Sequence, residues 1–183
     1  MNFYSDQLIN NIIDTEPLDN ILTAIEDFKK ISNYFVMKQS IQYIHHNYTM
    51  SILNDDKNIV AYYCMDNEFA IDNCPSILIY RKVTKNAEKI YYILFTCTVR
   101  KFRGQGYASK LLTGFIERVR EENKGSNKVI KIILSSLDTA VLFYEGYGFR
   151  WTKESINKHP TLMLYEAYEE SKDYYIMELS ICT

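Results

Sequence analysis

The sequence predicts an α/β or α+β fold built on a mixed sheet, and three observations carry that prediction. A long run rich in aromatic and β-branched residues, Ile90 to Val99, leads straight into a turn containing two glycines and then into an amphipathic helix. A short apolar run of strand length, residues 129–134, follows that helix, so strand, helix and strand form one βαβ-like unit. Further strand-length runs flank the unit, and no repeat, low-complexity tract or long linker divides them, so the 183 residues are expected to form a single domain.

Taken from the start, the N-terminal part up to about residue 45 is expected to be helical. Pro17 suits a first helical turn, and Leu18, Ile21, Leu22, Ile25 and Phe28 recur at helical spacing, giving a helix over residues 18–33 and a second over 37–43. Residues 48–53 and 59–65 read as two strands joined by a turn over 54–57, the start of a core that runs from residue 48 to 183. After Pro75 a second strand pair is predicted over 76–82 and 90–99, joined around 84–88. The helix that follows is the most regular element: Ala108, Leu111, Leu112, Phe115, Ile116 and Val119 fall on one face, with Lys110, Glu117, Arg118 and Arg120 elsewhere. Residues 123–127 stop it. Asp138 is expected to cap a short helix over 139–145, ended by Gly146 and Gly148, before strands near 149–152 and over 173–181.

Composition narrows the function. Lys and Arg number 21 against 23 Asp and Glu, a net charge of −2, which argues against a broad electrostatic footprint for nucleic acid or anionic lipid. Cys64, Cys74, Cys97 and Cys182 show no CxxC spacing, as expected of a soluble protein in a reducing, intracellular, cytoplasmic setting. No apolar run has the length of a membrane span, and the first twenty residues lack the basic and apolar regions of a secretory leader. His45 and His46 suit a solvated or capping role, and no third ligand has suitable spacing, so no metal is expected.

The segment Arg103-Gly104-Gln105-Gly106-Tyr107-Ala108 carries the chemistry. A pyrophosphate needs converging backbone N–H groups, and a helix N-terminus supplies them together with the positive end of its dipole. Gly104 and Gly106 allow phosphate oxygens to approach the main chain, Ala108 allows the helix start to lie close to its neighbours, and Arg100, Lys101 and Arg103 add positive charge. A P-loop would need Lys and then Ser or Thr after a glycine. A dinucleotide fingerprint would need Gly or Ala at Ser109 and an acid ending the next strand, where Ser135 and Ser136 stand. Neither pattern is met.

The run from Thr96 through Arg103, Gly106 and Ala108 to Leu112 resembles the acetyl-CoA motif of the GNAT N-acetyltransferase superfamily, Gln/Arg-x-x-Gly-x-Gly/Ala. Ala140-Val141-Leu142-Phe143-Tyr144-Glu145-Gly146-Tyr147-Gly148-Phe149 is similar to that family's second signature. The resemblance is strong from about residue 90 to 151, weaker for the hairpin at 48–65 and the last strand, and absent before about residue 45. It implies a mixed, mostly antiparallel twisted sheet flanked by helices, with the N-terminal helical part as an addition, and acetyl-CoA as co-substrate. It implies that main-chain groups of Thr96, Cys97, Thr98 and Val99 bond the pantetheine arm and polarise the thioester, side-chain identity mattering little there. Residues Arg103, Gly104, Gln105, Gly106, Tyr107, Ala108 and Ser109 would hold the pyrophosphate, and Tyr144 would protonate the leaving sulfur. A phenol of pKa about 10 is still protonated when a thiolate of pKa about 8.5 departs. Cys97 reads as a buried core residue rather than an acyl carrier, since no base adjoins it.

Two departures stand out. Leu137 occupies the place of a pantetheine-contacting Asn, and the strand from Ile90 to Val99 lacks the carboxylate many members use as general base. Candidates for the base are Glu68, Asp72, His159, Glu178, or water held by Thr96 or Thr98. The expected acceptor is a primary amine of a small molecule or a protein, and oligomeric state is left open. A catalytically silent acyl-CoA sensor or interaction module is the alternative. Asp66, Glu68, Asp72, Glu166, Glu169 and Glu170 read as a solvated acidic face rather than an amine-attracting site.

Overall fold

The computed structural model describes residues 12–14, 51–52, 55–63, 65, 75–165 and 173–182. The predicted helices over 18–33 and 37–43, together with His45, His46, Asp66, Glu68, Asp72, Glu166, Glu169 and Glu170, lie outside the described residues. One seven-stranded mixed sheet is present, in the order β1-β2-β3-β4-β5-β7-β6, with β1 Ile12–Asp14, β2 Asn58–Tyr63, β3 Ser76–Lys85, β4 Glu88–Thr98, β5 Val129–Leu137, β6 Arg150–Trp151 and β7 Tyr174–Ile181. Every neighbouring pair is antiparallel except β4 and β5, which are parallel and joined by helix α1, Tyr107–Glu122. Parallel strands need such a crossover, and here it is the predicted βαβ unit.

The period-two pattern of the strands assigns two faces. Leu78 and Tyr80 of β3, Tyr91 and Ile93 of β4, Ile130, Ile132 and Leu134 of β5, and Met177 and Leu179 of β7 pack with Leu111, Leu112, Phe115, Ile116 and Val119 of α1 in the main core. The apolar stripe of α1 is what fits it there, each fully buried Leu, Ile or Phe contributing about 1.5–3 kcal/mol. On the opposite face Ile90, Tyr92, Ile133 and Ile176 form a smaller cluster with Leu162 of the short helix α3, Pro160–Met163. Between them in sequence lies α2, Val141–Glu145. No helix among the described residues is long and apolar enough to cross a membrane.

Four expectations need correction. The N-terminal part is not wholly helical, because Ile12–Asp14 is an edge strand that supplies β2 with a second neighbour. Residues 51 and 52 of the predicted first strand are helical, and β2 pairs with β3 instead. The reason is local: Asp55 accepts the Lys57 N–H through Oδ1 (3.0 Å), and the Asn58 amide donates to the Ile52 carbonyl (2.7 Å), so polar side chains turn a helix end into a strand start. The β3–β4 connection shrinks to Asn86 and Ala87, since Asn86 tolerates the left-handed backbone (φ 53°) that a tight turn demands. Finally, Asp138 does not cap α2; it opens a 3-10 turn, Asp138–Ala140, accepting the Thr139 N–H at 2.7 Å, and Ala140 precedes α2 without a side-chain cap.

Candidate functional site

Strands β4 and β5 part company before either ends. Their parallel ladder stops at Ile93 with Leu134, although β4 continues to Thr98 and β5 to Leu137. Each strand then follows its other neighbour: β4 stays paired with β3 as far as Thr98 with Ser76, and β5 stays paired with β7 as far as Leu137 with Tyr174. A β-bulge marks the divergence. Ile79 faces Phe95 and Tyr80 faces Ile93, leaving Leu94 as the extra residue of β4, and such an insertion bends the strand that carries it. The result is a cleft in the sheet whose edges expose strand backbone at Thr96, Cys97 and Thr98 on one side and Ser135 to Leu137 on the other.

The end of β4 runs from that cleft to the start of α1. The Val99 N–H bonds to the Pro75 carbonyl (2.8 Å), and a 3-10 turn, Arg100–Phe102, reverses the chain. Two predicted contact residues brace this turn: Arg103 Nε donates to the Thr98 carbonyl at 3.1 Å, and the Gln105 amide donates to the Lys101 carbonyl at 3.0 Å. The Arg103 guanidinium is thus folded back on the strand end, its charge beside Cys97. Gly104 and Gly106 both adopt the left-handed backbone, φ 74° and 80°, and a Cβ at either would meet open space, so it is backbone angle, not crowding, that calls for glycine. Gly106 sits at the N-cap of α1 and offers no side-chain cap, and the first turn holds no acidic residue. Among the described residues no side chain caps the N–H groups of Tyr107, Ala108 and Ser109, which leaves them able to meet an anion. Tyr107 packs its ring against Tyr63 and Phe102 (5.5 and 5.6 Å between centroids) and places its hydroxyl 3.4 Å from the Met65 sulfur. The Lys110 ammonium lies over the rings of Tyr63 and Tyr107 beside this helix start.

Tyr144 reaches the same place from α2. Its ring packs edge-on against Phe143 and Phe149, at 5.2 and 5.6 Å, and its carbonyl accepts the Tyr147 and Phe149 N–H groups, so the Gly146–Gly148 turn locks it onto the main core. Gly148 makes that turn with φ 91°. Burial pushes the Tyr144 phenol up from its usual 10, and the neighbouring Thr96 hydroxyl acts in the opposite sense. The group is protonated at neutral pH, as a proton donor must be. Burial raises the Cys97 thiol to about 12 despite the nearby Arg103 charge, which disfavours the thiolate that a nucleophile needs and agrees with a buried core residue.

The two described candidates for the base with an ionisable side chain, His159 and Glu178, lie on the other face of the sheet. His159 is buried, with Nε2 at 3.2 Å from Glu154 Oε2 and Nδ1 at 3.5 Å from the Tyr92 hydroxyl. Glu178 is held by Lys131 at 3.5 Å. Sequence reasoning missed a buried cluster on this face: Arg81 donates Nε to Asn58 (2.8 Å) and pairs with Asp55 (2.6 Å), and Tyr165 bonds Asp55 and stacks under the guanidinium. Burial would raise the Asp55 carboxyl, but the bonds from Tyr165, the Lys57 N–H and Arg81 hold it at about 2. These four residues are up to 110 positions apart in the chain, and no local pattern joins them.

Comparison with known proteins places this architecture. The family model described as acetyltransferase (GNAT) domain matches residues 4–164, so the family likeness extends through the N-terminal part, where sequence reading found none. No curated protein matches the sequence. Among solved structures, the chain is similar to one in the NatC complex bound to Gag peptide and CoA, with 18% identity, 94% of this chain and 99% of that one covered, and a TM-score of 0.58. It is similar to Arabidopsis thaliana Naa50 in complex with the bisubstrate analogue CoA-Ac-MVNAL, with 18% identity, 93% and 99% covered, and a TM-score of 0.56. It is also similar to Ard1 from Thermoplasma volcanium, with 18% identity, 94% and 99% covered, and a TM-score of 0.58. With its parted β4–β5 pair, its glycine turn and a family match spanning most of its length, this chain belongs to the GNAT acetyltransferase family.

Proposed function

We propose that this chain is an N-acetyltransferase that uses acetyl-CoA to acetylate a primary amine, and that the acceptor is the amino group of a peptide or protein. One observation carries the reading: the cleft between β4 and β5, the uncapped start of α1 and the phenol of Tyr144 converge at the same end of the sheet. Acetyl-CoA supplies an acyl group activated as a thioester. The N–H groups of the first turn of α1 hold its pyrophosphate, and the strand edges at Thr96, Cys97, Thr98 and Val99 receive its pantetheine arm. The substrate amine forms the new C–N bond as the C–S bond breaks, and Tyr144 gives its proton to the leaving sulfur. To His159 we assign the amine's own proton, since its ring bonds Glu154 at the surface, whereas Glu178 is engaged by Lys131. The peptide and bisubstrate ligands of the NatC and Naa50 structures support a peptide acceptor over a small-molecule amine.

The test is free-thiol release from acetyl-CoA in the presence of short peptides with varied N-termini, polyamines and aminoglycosides, with products weighed by mass spectrometry. A peptide product supports the reading; a polyamine or aminoglycoside product moves the acceptor to small molecules. Saturable acetyl-CoA binding with no release above hydrolysis would replace the enzyme by a silent acyl-CoA-binding module.

A further inference from the structure

Thr96 stands on β4 just past the bulge, where β4 no longer touches β5. Its register partner is Leu78, a residue of the α1-side core, so its side chain shares the face on which α2 packs Tyr144. The other polar groups nearby are engaged: the Thr98 hydroxyl is 2.7 Å from that of Ser76, and Ser136 bonds the Leu137 carbonyl. Thr96 differs. Its hydroxyl oxygen is fully buried and has no hydrogen-bond partner among the described residues, and buried hydroxyls are seldom left so. Valine would fill nearly the same space without that cost. The hydroxyl acts on the Tyr144 phenol in the sense that favours its ionised form, yet makes no hydrogen bond of ordinary geometry among the described residues.

We infer that the Thr96 side chain is a positioning residue for Tyr144, donating its O–H to the phenolic oxygen as that oxygen gives its own proton to the leaving sulfur. The inference rests on the acetyl-transfer reading above and reverses the expectation that side-chain identity on this strand is immaterial. The proton balance is simple. Tyr144 O–H is donated to the thiolate, the phenolate that remains accepts the Thr96 O–H, and Thr96 keeps its proton throughout. A donor aimed at an oxygen only when that oxygen becomes negative strengthens in the transition state more than in the ground state, so its loss falls on kcat and not on KM. A charge-assisted hydrogen bond in a desolvated setting corresponds to a rate effect on the order of 10-fold.

Thr96→Val, Thr96→Ser, Tyr144→Phe and the double variant Thr96→Val/Tyr144→Phe test it, with kcat and KM measured by thiol release and Tm by calorimetry. Thr96→Val is expected to lower kcat about 10-fold with KM for acetyl-CoA unchanged, and Thr96→Ser to restore most of the rate. In the Tyr144→Phe background Thr96→Val is expected to cost nothing further, because the oxygen it serves is gone. Equal losses in both backgrounds, or a serine variant as slow as the valine one, would overturn the inference while leaving acetyl transfer intact. No thiol release by the unaltered chain with any acceptor would overturn both.

Discussion

The two ends of α1 are built on opposite principles. At its C-terminal end polar side chains form one network: the Asn123 amide donates to the Val119 carbonyl (2.6 Å) and to the Tyr91 hydroxyl (2.8 Å), Tyr91 donates to Glu122 (2.8 Å), and Lys82 reaches both oxygens of the Glu122 carboxylate at 3.0 Å. Glu122 stands at the negative end of the helix dipole, an unfavourable place for an acid, and Lys82 and Arg118 offset that. At the N-terminal end the helix start has no cap, no acid in its first turn and two glycines whose backbone angles exclude ordinary side chains. An uncapped helix start beside parted strands, on a helix so well bonded at its other end, is the contrast on which the proposed acetyl-CoA site rests.

Substitutions at the two ends should separate binding from folding. The largest effect is expected from Gly106→Val. Forcing a β-branched residue into the left-handed region costs about 1–2 kcal/mol of strain and misaims the first-turn N–H groups, so acetyl-CoA affinity by titration calorimetry should fall on the order of 100-fold. Next comes Asn123→Ala, which leaves the Val119 carbonyl and the Tyr91 hydroxyl short of a partner. It should lower stability by about 1–3 kcal/mol in urea unfolding, with acetyl-CoA affinity as in the unaltered chain. Loss of affinity in the second variant, or only of stability in the first, would dissolve the contrast.

The smallest effect is one of pH. Burial would raise the Glu122 carboxyl, but bonds from Lys82 and Tyr91 bring it below its ordinary 4.5. A depressed carboxyl adds stability that is fully present above 4.5 and is lost as pH falls through the lower folded value. Unfolding at stepwise lower pH should therefore show a loss that is diminished in Glu122→Gln, while ligand affinity at neutral pH is the same in both.

Local chemistry was legible in the sequence and long-range partnership was not. The run from Ile90 to Val119 announces strand, turn and helix because alternation, glycine pairing and a 3.6-residue stripe are all encoded within a few residues of one another. The Phe143–Phe149 segment is similar: its aromatic pair and Gly148 define a turn and a direction for Tyr144. The bulge at Leu94 left no mark, since an extra residue in an apolar strand looks like any other and appears only against the register of β3. Nothing near Ile12 reveals that it pairs with Tyr63, and nothing near Thr96 reveals that its hydroxyl will be buried without a partner among the described residues. Residues 51 and 52 went wrong for a different reason: Ile52 within the run from Tyr48 to Leu53 suits a strand, but Asn58 closes a helix end there through the Ile52 carbonyl.

The most direct test of acetyl transfer at this cleft compares the unaltered chain with Tyr144→Phe, measuring thiol release with an acceptor peptide and acetyl-CoA affinity on the same preparations. Phenylalanine keeps the ring contacts to Phe143 and Phe149 and removes only the phenolic hydroxyl, the proposed proton donor. The prediction is a kcat lower by about 100-fold at unchanged affinity. Equal turnover by the two proteins would contradict it.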